Sequence, residues 1–340
     1  MRLIKRCAIC AVFLGAAFLA WNSPRTWGQG DGLDRIAQTS KFTSSIEVME
    51  NERSKDLTRA YGQFLDAHTA QGVVFHVKTQ PVFESPLGDR RVALDIGGQA
   101  QLIQITELRP GALPVRHRYG AKGEALFLAV QGRGTTRYWE GTKESQIQWK
   151  TNDLFAVPPG SWIEHSLASG TNSARLLEYV GYGVNTYTAE QVEEERSTPA
   201  EGTPQERERL KWSGNYFENV REAPVLDRDV ESNFKRRVID VSPAVHKTHT
   251  TVLLNELPPG ANNKPPGFVH RHGGQATYFV LKGRGINEIY QKNESPKKYQ
   301  LAEGDIIGYP PGSYHHYHFN ASQTEFFRLM AVVPKYEKAK

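Results

Sequence analysis

Cysteine is nearly absent from this sequence, and the little that is present lies at its start. Of the 340 residues only two are cysteines, Cys7 and Cys10. The rest of the chain can therefore form neither a disulfide nor a thiolate metal site. Any metal ion bound there must be held by histidine, carboxylate or amide side chains.

The first 28 residues combine a basic start with a short apolar stretch. Arg2, Lys5 and Arg6 precede 15 uncharged residues that end at Trp21. This pattern is typical of a secretory signal peptide, and the stretch is short for a bilayer-spanning helix of about 20 residues. We therefore expect cleavage after Gly28 and export to the periplasm or the medium. An uncleaved membrane anchor is the second interpretation.

A strong net charge is also missing from the part of the chain that follows residue 28. Residues 1–28 carry four of the 42 Lys and Arg residues and no acid, which leaves 38 basic against 37 acidic residues. No basic stripe, phosphate-binding loop or Ser-His-Asp pattern is present. The expected partner is a small-molecule substrate, with no nucleic acid and no stable membrane span once the signal is removed. Assembly into a homo-oligomer stays open.

Long helical periodicity is scarce, whereas turn-forming residues are plentiful. The chain has 30 glycines and 19 prolines, and its apolar residues come in short runs or alternate, which predicts an all-β fold of short strands. Helices are predicted only within residues 46–70 and 189–196. The polar stretch 197–209, which contains two prolines, is predicted to link two domains.

An internal repeat supports the division into two domains. Gly132-Arg133-Gly134 recurs as Gly283-Arg284-Gly285, and Pro158-Pro159-Gly160-Ser161 recurs as Pro310-Pro311-Gly312-Ser313. The two offsets, 151 and 152 residues, agree closely, so two copies of one domain are predicted. Each Gly-Arg-Gly is expected to form a hairpin turn with a positive φ. Each Pro-Pro-Gly is expected to form a stiff turn before a strand.

Histidines cluster in two short segments of the second copy. Five of the chain's eleven histidines lie there: His270, His272, His315, His316 and His318. Because residues i and i+2 of a strand point to the same face, His270 and His272 are predicted to aim at one point, as are His316 and His318. A closed sheet would bring both strands to one interior spot, which favours a metal site over unliganded histidines.

Both copies resemble cupin domains, so the chain resembles a bicupin. The residues that fit the two cupin motifs are His270, His272, Gly283, Gly304, Pro310, Gly312 and Asn320. The resemblance implies two jelly-roll barrels with a few peripheral helices, and a metal site in the second barrel. Counting back from Asn320 makes His316 the third ligand after His270 and His272, whereas counting forward from Gly312 makes it His315. His318 is a further option.

The second copy lacks the glutamate ligand of the cupin motif. Ala276 stands at that position, next to Gln275, and the local pattern resembles gentisate 1,2-dioxygenases, whose iron is held by three histidines. The resemblance implies one divalent ion bound by His270, His272 and His316, with Fe(II) preferred and Mn, Ni or Zn as alternatives. Gln275 and His318 are the candidate catalytic residues.

Three neutral imidazoles would leave the full charge of the ion and several open positions. This favours a bidentate anionic substrate, such as a hydroxylated aromatic acid, with room for O2. The sequence thus predicts an exported Fe(II)-dependent dioxygenase. The alternatives are another cupin enzyme (a decarboxylase, isomerase or hydrolase) and a non-catalytic protein that binds a small molecule.

The first copy is depleted in metal ligands. Tyr119 stands where the second histidine of the motif belongs, and His117, Glu124 and His165 remain. We expect a structural barrel without metal. The predicted boundaries are 1–28 for the signal peptide, 29–88 for an extension with a helix, 89–187 for cupin domain 1, 188–222 for a helix and linker, and 223–335 for the metal-binding cupin domain 2.

Overall fold

The structure is a computed structural model that describes most of the chain between residues 47 and 334. The described residues are 47–48, 54–96, 101–113, 115–119, 124–158, 160–181, 212–213, 215–223, 235–239, 250–262, 276–290, 294–309 and 315–334. The predicted signal peptide, the predicted helix at 189–196 and the predicted linker at 197–209 lie outside them.

One helix and 23 strands occur among the described residues. They are α1 (Ser54–Ala67), β1 (Glu47–Val48), β2 (Thr69–Gln71), β3 (Val74–His76), β4 (Phe83–Glu84), β5 (Arg90–Asp95), β6 (Gln101–Leu108), β7 (His117–Arg118), β8 (Glu124–Gln131), β9 (Arg133–Glu140), β10 (Lys143–Lys150), β11 (Leu154–Val157), β12 (Trp162–Leu167), β13 (Ala174–Gly181), β14 (Trp212–Ser213), β15 (Tyr216–Phe217), β16 (Lys235–Ile239), β17 (Thr250–Leu257), β18 (Ala276–Lys282), β19 (Arg284–Tyr290), β20 (Lys297–Ala302), β21 (Asp305–Tyr309), β22 (His315–Asn320) and β23 (Phe327–Pro334).

The strands form two barrels, each built from two sheets. In the first barrel, one sheet has the order β1-β7-β12-β9-β10, and the other has the order β14-β15-β11-β8-β13-β6-β5-β2, with β4 paired to β5. In the second barrel, the orders are β16-β17-β23-β18-β21-β3 and β20-β19-β22. The predicted all-β architecture of two jelly-roll barrels is confirmed.

The Gly-Arg-Gly turns have the predicted backbone conformation but a different role. Gly132 and Gly283 have φ values of 78° and 80°, and a Cβ on either glycine would lie 2.4 Å from a backbone carbonyl oxygen. However, β8 pairs with β11 and β13, whereas β9 pairs with β10 and β12. The prediction of hairpins was therefore wrong, because each turn carries the chain from one sheet of a barrel to the other.

The apolar runs are explained by strands that are buried on both faces. In β8, Phe127 packs into the interior of the first barrel, while its neighbour Leu128 belongs to a core that also includes Phe279 and Met330 of the second barrel. In β18, Tyr278 faces the interior of the second barrel. Strands of this kind show continuous rather than alternating hydrophobicity, and here they join the two barrels through one apolar core.

Short strands outside the two repeats extend the sheets of both barrels. β3, which lies in sequence between β2 and β4 of the first barrel, pairs with β21 of the second barrel. β15, which precedes the second barrel, pairs with β11 of the first. Each barrel is therefore completed by a strand adjacent in sequence to the other.

The helix predicted within residues 46–70 is present as α1. Tyr61, Phe64 and Leu65 are buried, and this spacing places them on one face of a helix, against the first barrel. The helix ends where the His68 N–H donates to the Phe64 carbonyl over 2.9 Å. Across the described part of the chain, no helix has the length and apolar character needed to cross a bilayer.

Candidate metal centre

Strand β22 places two histidines inside the second barrel. His316 and His318 are 0% and 1% exposed, and both rings contact Tyr278 of β18 and Tyr309 of β21. The His316 ring stacks on Tyr309 with 4.0 Å between centroids. The predicted shared face of His316 and His318 is thus observed, and it is enclosed by two tyrosines.

Hydrogen bonds orient the His318 ring. Its Nδ1 lies 2.7 Å from Oδ1 of Asn287, and Asn287 Nδ2 donates to the Tyr309 hydroxyl. Because an amide oxygen only accepts, His318 Nδ1 carries the proton and Nε2 carries a lone pair. Metal-binding histidines are typically held this way, with the other ring nitrogen donating to a carbonyl oxygen. His318 therefore has the chemistry of a metal ligand.

Two tyrosines supply hydroxyl groups beside these histidines. His316 Nε2 lies 3.3 Å from the Tyr278 hydroxyl, and the Tyr278 and Tyr309 rings meet edge to face at 5.2 Å. Burial, followed by the neighbouring Tyr278, raises the pKa of Tyr309 well above its ordinary value. Tyr309 is therefore a neutral phenol at physiological pH. Sequence reasoning missed Tyr278, Tyr309 and Asn287, although the alternation along β18 could have identified Tyr278.

Three predicted site residues cannot be placed in this arrangement. His270, His272 and Gln275 lie outside the described residues, and of His315 only the backbone in β22 is described. Among the side chains that are described, no group of three or more His, Cys, Asp or Glu is arranged to hold a metal ion. The assignment of His270, His272 and Gln275 therefore stays a prediction from the sequence.

Strand register shows which histidines of the two barrels are equivalent. His165 of β12 pairs with Thr136 of β9, and His318 of β22 pairs with Asn287 of β19. Thr136 and Asn287 are separated by the repeat offset of 151 residues. In each pair the histidine Nδ1 contacts the side-chain oxygen of its partner, at 2.8 Å for His165.

The same register places an apolar residue at the first barrel's equivalent of His316. His316 pairs with Ile289, and Ile163 pairs with Tyr138, which lies 151 residues before Ile289. Ile163 is buried in the core of the first barrel. The position of one predicted ligand is therefore filled by a hydrocarbon side chain in the first barrel.

A buried ionic network takes the place of metal ligands in the first barrel. We name it the Arg91 cluster, and its members are Tyr61, Asp89, Arg91, Gln104, Tyr119 and Glu178. Arg91 is 0% exposed and donates to Asp89 through Nε and Nη2, at 2.9 and 2.7 Å. The Tyr119 hydroxyl donates to Glu178 over 2.5 Å. Tyr119, at the motif's second histidine position, thus serves this network.

His117 and His165 lie beside the Arg91 cluster and are held neutral. Their ring centroids are 6.0 Å apart. Burial in the first place, with Arg91 next, lowers the pKa of His117 to about 4 and that of His165 to about 3. Both rings are therefore uncharged imidazoles at neutral pH. The side chain of Glu124 lies outside the described residues.

Comparison with known families identifies the second barrel as a cupin domain. Residues 253–333, from β17 to β23, match the family model described as Cupin domain. A curated relative, the acireductone dioxygenase of Dictyostelium discoideum, is 30% identical over 94 residues, which are 27% of this chain. The chain spans 64% of the length of that relative.

Solved structures of an oxalate decarboxylase are similar to this chain in fold. The S161A mutant of the Bacillus subtilis oxalate decarboxylase is 12% identical, with a TM-score of 0.50 over 80% of this chain and 79% of that one. A structure of the same enzyme, studied for its Mn(II) centres, is 14% identical, with a TM-score of 0.48 over 86% of each chain. At such low identity the likeness concerns the fold alone.

Proposed function

We propose that this chain is an exported dioxygenase whose second barrel binds one Fe(II) ion. The proposed ligands are His270, His272 and His316, and the substrate is a small bidentate anion such as a hydroxylated aromatic acid. The observation that carries the proposal is the pair of fully buried histidines on one face of β22, inside a cupin barrel. The similarity to an acireductone dioxygenase supports oxygen chemistry.

The environment of β22 suits a metal ion better than an unliganded histidine pair. Two imidazoles with less than 2% exposure lie on one face of β22, inside the barrel, which is the arrangement of a pair of metal ligands. The His318–Asn287 hydrogen bond fixes a tautomer with a lone pair on Nε2. We therefore retain His318 as an additional candidate ligand or as a group that moves a proton at Nε2.

A bound Fe(II) would supply charge and redox chemistry to an anionic substrate and O2. The chain's own residues would orient the substrate. Tyr278 and Tyr309 place their hydroxyl groups beside the two histidines, so they can donate hydrogen bonds to substrate oxygens. Gln275 is proposed to contribute another donor. The apolar strands around them exclude water.

The proposal is tested by metal analysis and oxygen uptake on the protein as purified. We expect about one iron per chain and O2 consumption with a member of a panel of hydroxylated aromatic acids. His316→Ala should lower iron content and turnover by about 100-fold or more, since a ligand matters at least as much as its supporting partners. The matched control is Tyr317→Phe, which changes one oxygen on the adjacent residue and should leave both unchanged.

Other outcomes would point to different functions. Full turnover after reconstitution with Mn or Zn, without O2 consumption, would indicate a decarboxylase, isomerase or hydrolase. Saturable binding of an acid without turnover, unaffected by His316→Ala, would indicate a metal-independent binding protein. Iron content unchanged in His316→Ala would show that His316 is not a ligand.

A further inference from the structure

The first barrel contains a cavity that the proposed function does not use. Its volume is about 250 Å³, larger than an engineered cavity of about 150 Å³ that holds benzene. It opens between the segments that follow β6 and β12, and its walls include Leu87, Leu108 and Leu167. His117 and His165 line it as well. Because these two histidines are only 1% and 5% exposed, they form its inner end.

His117 presents a hydrogen-bond acceptor in this cavity. Its Nδ1 lies 3.0 Å from the Val115 carbonyl oxygen, which can only accept, so Nδ1 carries the proton. The Nε2 atom therefore has a lone pair, and it is buried without a hydrogen-bond partner. A buried acceptor without a partner destabilises the fold, and a bound donor would remove that penalty.

His165 presents the complementary donor. Thr136 Oγ1 accepts from Trp149 Nε1 over 2.9 Å and lies 2.8 Å from His165 Nδ1. Thr136 can therefore donate its hydroxyl proton to Nδ1, and the Glu178 carboxylate beside Nε2 favours the tautomer that carries its proton on Nε2. That atom is also buried without a hydrogen-bond partner, and it lies 3.9 Å from Glu178 Oε1, beyond hydrogen-bonding distance.

The carboxylates at the inner end of the cavity disfavour an anion there, while Arg109 in the cavity wall is paired with Glu84 through Nη2 over 2.5 Å. Asp89 lines the cavity and Glu178 lies behind it, so two carboxylates surround the single guanidinium of Arg91. No described group of three or more His, Cys, Asp or Glu side chains is arranged for a metal ion. A ligand that fits this cavity therefore carries one uncharged group that both donates and accepts a hydrogen bond, attached to an apolar body. A hydroxyl group meets this description.

We infer that the first barrel is a metal-independent binding site for a small neutral hydroxylated molecule, of the size of a phenol. Its hydroxyl donates to His117 Nε2 and accepts from His165 Nε2–H, while its ring contacts the leucine walls. This inference concerns a different barrel from the proposed dioxygenase site and stands independently of it. The two barrels would then bind ligands of different charge.

The test is fluorine NMR of 4-fluorophenol with the full protein, with 4-fluorobenzoate and fluorobenzene as comparison probes. We expect saturable binding of 4-fluorophenol, at least about tenfold weaker binding of fluorobenzene, and no binding of 4-fluorobenzoate that depends on the first barrel. His117→Leu should weaken 4-fluorophenol binding by about tenfold or more. His318→Leu, the matched change at the equivalent of His165 in the second barrel, should leave it unchanged.

A second variant keeps the test valid if His117→Leu does not fold. Ala168→Phe places a ring in the partly exposed segment at the mouth of the cavity and leaves both histidines intact, and it should also abolish binding. The inference is overturned if 4-fluorophenol does not bind, if fluorobenzene binds equally well, or if Ala168→Phe retains full affinity for 4-fluorophenol. It is also overturned if 4-fluorobenzoate binds and Ala168→Phe removes that binding. Loss of binding in His318→Leu would likewise overturn it by moving the site to the second barrel.

Discussion

Replacement of Arg91 by methionine is the most informative perturbation of the first barrel. The guanidinium is fully buried and donates to Asp89, Tyr61 and Tyr119, and it lies 3.7 Å from Glu178. Methionine is of similar length but has neither the charge nor the donors. Arg91→Met therefore leaves two carboxylates, 8% and 0% exposed, without their shared cation.

The expected cost follows from the burial of those carboxylates. Removal of one partner from a buried ion pair typically costs about 3–5 kcal/mol. Burial alone would raise the pKa of Asp89, but the charge and hydrogen bonds of Arg91 outweigh it and hold the pKa below its ordinary value. Asp89 is thus charged in the fold, and we expect Arg91→Met to lower the free energy of unfolding of the protein by about 4 kcal/mol.

Tryptophan fluorescence during urea unfolding follows this change from side chains that lie outside the second barrel. All six tryptophans precede residue 213, so none lies in the second barrel. The triple variant Arg91→Met, Asp89→Asn, Glu178→Gln is the control, because it removes the uncompensated charges and should recover at least about half of the loss. A loss below about 1 kcal/mol in Arg91→Met, or no recovery in the triple variant, would refute the reasoning.

Two further predictions concern pH and the contact between the barrels. The pKa values of His117 and His165 are lowered to about 4 and about 3. Below about pH 6.5 the two histidines therefore bind protons in the unfolded chain but stay neutral in the folded barrel. The stabilisation from the two neutral histidines is complete above pH 6.5 and is lost as the pH falls towards their pKa values in the folded protein. Urea unfolding followed by tryptophan fluorescence should show a loss of about 2 kcal/mol per histidine between pH 7 and pH 5. Equal urea midpoints at the two pH values would contradict the neutral state of the histidines. Gly308→Ala should destabilise the protein by about 1–3 kcal/mol, because the new Cβ would lie 1.4 Å from Cγ2 of Ile96. In thermal unfolding, Ile96→Ala should partly rescue the stability of the Gly308→Ala variant. Additive losses of stability in the double variant would contradict a direct clash.

Local sequence was sufficient to predict the strands, the two copies and the shared face of His316 and His318. The reason is that a two-residue period is a property of the extended chain itself, so it specifies which side chains go together wherever the strand lies. The positive φ of Gly132 and Gly283 could be predicted for the same reason. Only the backbone of the turn is involved in that requirement.

The tertiary structure decided which strands meet. The Gly-Arg-Gly turns connect different sheets, and β3 joins the sheet of the second barrel. Neither connection could be predicted, because hydrogen bonds between distant strands do not change the hydrophobic periodicity of either strand. The Arg91 cluster draws residues from α1, β5, β6 and β13, and from the positions just before β5 and just after β7. No short window of sequence contains more than two of its charged members. Their mutual compensation, and the cavity beside it, exist only after the barrel has closed.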